Sequence, residues 1–211
     1  MTTVASPPQL PPTGAPSRPA ATRGPEPKPA ETGVWVAIGT ISMSFAALTS
    51  AMVVRQSDAS DWRHFQLPPI LYFNTLILLI SSLTLESARR RMRTTAAPGA
   101  LLESPGRRLA GVYLTLTLGL LFVVGQIAAW RELAAQGLFL ATSPSSAFFY
   151  VFTSLHALHV LGGLGGLLYV LHHLRRATGS VPTTALGAAT LYWHFMAVLW
   201  VYLLTLLTIR V

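Results

Sequence analysis

The chain has no cysteine, which excludes disulfides, iron–sulfur clusters and thiolate-held metals. Charge is nearly as scarce. Asp, Glu, Lys and Arg together make up 10% of the 211 residues, against about 25% in a soluble domain. No nucleophile–base pair, phosphate-cradling loop, carboxylate dyad or internal repeat stands out. The other side of this poverty is apolar residues, 52% of the chain and gathered in long runs. That combination places the protein among integral membrane proteins. The formal charge of +8 does not mark a nucleic-acid binder. The arginines sit at the ends of the apolar runs, where they act as topology signals, so no nucleic-acid partner is expected.

Residues 1–33 hold most of the 15 prolines and few large apolar residues. They lack the apolar core of a signal peptide and read as a disordered, Pro-rich cytoplasmic tail. Residues 34–211 read as an all-α membrane domain, a bundle of five transmembrane helices. The runs are approximately Val34–Val54, Leu67–Leu85, Leu109–Trp130, Ser146–Leu171 and Ala185–Ile209. Each approaches or exceeds the roughly 20 residues that a spanning helix needs. Pro68 and Pro69 open the second, and Pro144, after Ser143, opens the fourth. A first helical turn tolerates proline because the missing N–H would be unpaired there in any case.

Arginine counts give the orientation. Arg89, Arg90, Arg91, Arg93, Arg107 and Arg108 lie between spans two and three, and Arg175 and Arg176 lie between spans four and five. The alternate loops are balanced by Asp58, Asp61 and Glu132. This predicts a cytoplasmic N-terminus and a C-terminus outside.

Ionisable groups inside a bilayer are costly and often functional. Here they are His156, His159, His194 and, near the inner end of span two, Glu86. At 100° per residue, Phe152, His156, His159, Gly163 and Gly166 share one stripe. Gly162 and Gly166 add a small-xxx-small pair, which predicts close approach of another backbone. His159 and His194 fall roughly 18 and 14 Å from the inner ends of their helices, so the two are expected to pair directly or through water. Three readings are open for the histidines: hydrogen bonding between helices, ligation of a b-type haem, and handling of protons or lipid headgroups. Redox copper needs more ligands than this set offers. Glu86 has Arg89 and Arg90 at i+3 and i+4, an intrahelical ion pair. Asn74 is a deep amide of the kind that bridges helices. Trp35, Trp62 and Trp130 suit an aromatic belt, whereas Trp193 and Trp200 share a face of span five with Met196 and read as packing residues.

Taken together, "FFYVFTSLHALHVLGGL", "LYWHFMAVLWVYLL", "LPPILYFNTLILLISSLTLESARR" and "GQIAAWREL" resemble subunit III of the haem–copper oxidases, in that family's order and over residues 34–209. Five spans resemble its short bacterial form. The resemblance implies a non-catalytic subunit of a proton-pumping terminal oxidase in the bacterial plasma membrane. It implies direct contact with subunit I and association with subunit II. Haem and copper would belong to those partners, none to this chain, and bound phospholipid is expected. Membership of a quinol oxidase or a nitric oxide reductase is the neighbouring alternative. An independent b-haem protein or a transporter fragment is the alternative of another class. Two positions depart from the family pattern: Ile41 and Ala197 stand where many members carry a carboxylate.

Overall fold

The computed structural model describes residues 29–57, 60–95, 105–176 and 183–211. Among them are five α-helices: α1 (Pro29–Ser57), α2 (Ile70–Thr95), α3 (Pro105–Ala135), α4 (Pro144–Arg176) and α5 (Thr183–Arg210). All five are long and apolar enough to cross a membrane. The tail expectation falls mostly on residues 1–28, outside the described residues. Its boundary is corrected, because α1 already begins at Pro29 and carries Glu31 in its first turn. A proline at a helix start and an acidic residue near the positive dipole end suit that position.

Helix α2 runs ten residues past the apolar segment that ends at Leu85, to Thr95. Apolar character marks where a helix leaves the hydrocarbon, and the ion pairs of Glu86 carry the helix onward into water.

Helices α2, α3, α4 and α5 close a ring in which each touches its sequence neighbour and α5 returns to α2. Helix α1 lies outside the ring, against α5 and, more lightly, α4. The core of the bundle includes Phe122, Phe149, Phe152, Met196, Trp193 and Trp200, all at most 1% exposed.

Local chemistry fixes the helix ends. Gly137 has φ +79°, the left-handed conformation that glycine supplies at a helix C-terminus. There the N–H of Gly137 donates to Ala134 O and that of Leu138 to Leu133 O, which terminates α3. Ser143 then caps α4. Its Oγ accepts from the N–H of Ser146 at 3.2 Å, while its own N–H donates to Ser146 Oγ at 3.1 Å, with Pro144 in the first turn. This is a reciprocal capping box with serine at both positions. At the same end, the α1–α2 connection clasps the end of α5. Trp62 Nε1 donates to Arg210 O at 2.9 Å and Phe65 N to Val211 O at 2.8 Å.

Candidate functional site: a polar seam between the helices

Polar side chains tie the ring together at three levels. In the middle, Asn74 of α2 is 1% exposed and donates through Nδ2 to Phe122 O of α3 at 3.4 Å. One residue on, Thr75 Oγ1 accepts from Trp200 Nε1 of α5 at 2.9 Å. Nearer the C-terminal end of α2, Ser81 Oγ accepts from Trp193 Nε1 at 3.0 Å, and Thr84 meets Thr115 of α3 at 3.1 Å. Toward the C-terminal end of α3, Trp130 Nε1 donates to Thr153 Oγ1 of α4 at 3.0 Å. Trp193 and Trp200 are each 1% exposed. Each therefore fills the core with its ring and uses its one N–H to hold α5 on α2, which is how a buried indole avoids an unpaired donor.

The histidines do three different things. His194 Nδ1 lies 2.5 Å from Ser82 Oγ of α2, and Nε2 lies 3.6 Å from Glu86 Oε2. Glu86 also holds Arg90 at 2.8 Å and Arg89 at 3.4 Å. The result is a chain of contacts from Ser82 through His194 and Glu86 to the arginines, joining α2 to α5 toward the C-terminal end of α2. His159 turns elsewhere. Its Nδ1 is 2.7 Å from Leu155 O on its own helix; a carbonyl only accepts, so Nδ1 carries a proton. Its ring rests against Phe45 of α1 at 6.0 Å. His156 is fully buried between Trp200, with ring centroids 5.0 Å apart, and Phe122, edge to face at 5.9 Å.

The pairing of His159 with His194 is therefore corrected. Equal depth brings two residues to one level of the bundle, but each helix's rotation decides which neighbour they meet. Helix α5 turns His194 toward α2. Tyr192, two residues earlier, reaches α4 instead and donates its hydroxyl to His159 O at 3.0 Å. The two imidazoles are thus not presented as an axial ligand pair. Among the described residues, no three His, Asp or Glu side chains group as a metal site.

The glycine stripe is corrected as well. Of the α4 glycines, only Gly163 approaches another of the described residues closely: a Cβ there would lie 3.0 Å from Tyr192 Cε1 and 3.3 Å from the Trp193 ring. Gly162 and Gly166 are exposed, and a Cβ at either would meet nothing within 4 Å. They line the floor of a groove of about 460 Å³ between α1, α4 and α5, walled by Val34, Ala188 and Tyr192. The close glycine contacts are on α3. A Cβ at Gly125 would fall 2.0 Å from Asn74 Oδ1, one at Gly111 2.6 Å from Ala88 Cβ, and one at Gly119 2.8 Å from the Trp193 ring.

Sequence reasoning passed over Gln126, which is 1% exposed, along with Ser81, Ser82 and Thr153. The signal for Gln126 was the one that identified Asn74, an amide inside an apolar run. The hydroxyls carried no such signal, since serine and threonine satisfy themselves on their own helix whichever way they face. Ile41 and Ala197 are both buried in apolar surroundings, at 7% and 3% exposure.

Residues 40–209 match the family model described as cytochrome c oxidase subunit III. The chain is 28% identical over 181 residues to quinol oxidase subunit 3 of Bacillus spizizenii, covering 82% of this chain and 83% of the relative. It is 26% identical over 184 residues to cytochrome c oxidase subunit 3 of Bacillus subtilis, covering 82% of each. It is 28% identical over 187 residues to cytochrome c oxidase subunit 3 of Thermostichus vulcanus, covering 84% and 85%. With five membrane-length helices and a family match that spans them, this chain belongs to the cytochrome c oxidase subunit III family.

Proposed function

We propose that this chain is the non-catalytic third subunit of a proton-pumping terminal respiratory oxidase. It packs directly on subunit I, associates with subunit II, and supports sustained O2 reduction and proton uptake. Haem and copper belong to those partner subunits. The chain sits in a bacterial plasma membrane with its N-terminus in the cytoplasm and its C-terminus outside, the orientation that the arginine-rich loops favour. The observation that carries this reading is the separation of His159 and His194. Each is engaged in a local or helix-joining contact, so the polar seam serves assembly.

Phospholipid is held in the groove between α1, α4 and α5. Gly162 and Gly166 leave its floor open, and the small side chains Ala185, Ala188 and Ala189 widen it. An acyl chain fits such an apolar channel, while a carboxylate at Ile41 or Ala197, the family's option, is replaced here by apolar packing.

The test is purification through a tag on this chain. Subunits I and II with their full haem and copper should come with it. A Leu at Gly162 or Gly166 should reduce retained phospholipid and hasten inactivation during turnover, with the initial rate near normal. A Soret band carried by this chain alone, and lost in His159→Ala or His194→Ala, would overturn the reading.

A further inference from the structure

Four buried polar atoms in the middle of the bundle have no hydrogen-bond partner among the described residues. They are both ring nitrogens of His156 and both carboxamide atoms of Gln126. Neither side chain reaches the surface, at 0% and 1% exposure. A hydrocarbon surround offers no compensation, so buried polar groups in a membrane must be satisfied internally.

Two contacts bring these residues to the same layer. Phe122 of α3 meets the His156 ring edge to face at 5.9 Å, and Trp130 of α3 bonds Thr153 of α4. Gln126 lies one turn from both Phe122 and Trp130, between them on the buried face of α3. His156 lies one turn from Thr153 on α4. The antiparallel helices therefore bracket Gln126 against the stretch that carries His156.

The nearby donor groups are already engaged. Trp200 directs its N–H to Thr75, Asn74 donates to Phe122 O, and Thr153 Oγ1 accepts from Trp130 and donates to Phe149 O. What remains is one imidazole, with a donor and an acceptor when neutral, and one amide, with two donors and an acceptor oxygen. Water complements both, because it donates and accepts at once and typically makes two to four bonds in a protein interior.

We propose that Gln126 and His156 hold an internal water site between α3 and α4. The water bridges the two side chains and gives α3 and α4 their central polar tie. The asymmetry of the ring supports this. Helices α2 and α5 are joined directly through Trp193, Trp200 and His194, whereas the middle of the α3–α4 seam has polar groups but no direct bond.

A density map of the intact oxidase at roughly 2 Å should show an ordered water within hydrogen-bond distance, about 3.2 Å or less, of both Gln126 and His156. Thermal melting of the same complex supplies an independent measurement. Gln126→Leu and His156→Leu should each lower the melting midpoint of this subunit, and the double variant should recover most of the loss, because no polar group is left to satisfy. A map with Gln126 bonded directly to His156, or with no solvent between them, overturns the proposal. So do shifts that simply add in the double variant.

Discussion

Gly125 of α3 lies so close to Asn74 of α2 that a Cβ there would fall 2.0 Å from the Asn74 Oδ1 atom. The carboxamide is buried and donates to Phe122 O, so it has little freedom to retreat. Gly125→Ala should destabilise the chain by about 1–3 kcal/mol, the usual range for overpacking a filled core. Unfolding in mild detergent measures this. Asn74→Ala introduced alongside should relieve the clash, and Gly39→Ala, a helical glycine in open space, serves as the control for the helix-propensity gain. An unchanged Gly125→Ala variant would mean that α2 and α3 are not in this contact.

The two core tryptophans separate ring packing from hydrogen bonding. Trp193→Phe and Trp200→Phe keep most of the apolar volume but leave Ser81 and Thr75 without their donors. Intramembrane bonds of this kind average about 0.6 kcal/mol in double-mutant cycles, so each should cost on the order of that amount. Trp200→Ala also removes the contacts with Phe122 and His156 and should cost about 3–5 kcal/mol. Denaturation midpoints in a fixed detergent compare the three.

His194 differs from His159 in what its removal breaks. His194→Ala severs α5 from Ser82 and Glu86, whereas His159→Ala ends a bond within α4. The first should loosen the subunit by ~0.6–2 kcal/mol, the range measured for interhelical polar contacts, and the second by less. Ser82→Ala should cost only part of that loss, because the His194–Glu86 contact stays in place, and adding it to His194→Ala should cost little more. Haem and copper analysis of the purified oxidase should be unchanged throughout, with the defect seen as poorer retention of this subunit.

The orientation is testable without a cysteine background, since the chain has none. Ser60→Cys and Ala141→Cys lie in the charge-balanced connections and should react with an impermeant thiol reagent added to intact cells. Ser104→Cys and Ser180→Cys, beside the arginine-rich segments, should react only after the membrane is opened. The reverse pattern would invert the topology.

Much of this protein is legible in the order of its residues. Apolar run length sets the five helices, because a bilayer admits only segments that satisfy their own backbone. Ser143 and Pro144 mark the start of α4 by local chemistry, which needs no neighbour. The i+3 and i+4 spacing of Glu86 with Arg89 and Arg90 sets their ion pairs in the same way. Tertiary structure alone decided what the helical stripes face. His159 and His194 share a depth, yet α5 turns His194 to Ser82 and sends Tyr192 to α4. The Gly162–Gly166 pair has the spacing of a packing motif, yet it borders an open groove because α1 stands off from α4, while the tight glycine contacts fall on α3 at Gly111, Gly119 and Gly125. Periodicity gives the angle between residues on one helix. It does not give the rotation of that helix against the next, which is set by packing summed over the whole bundle.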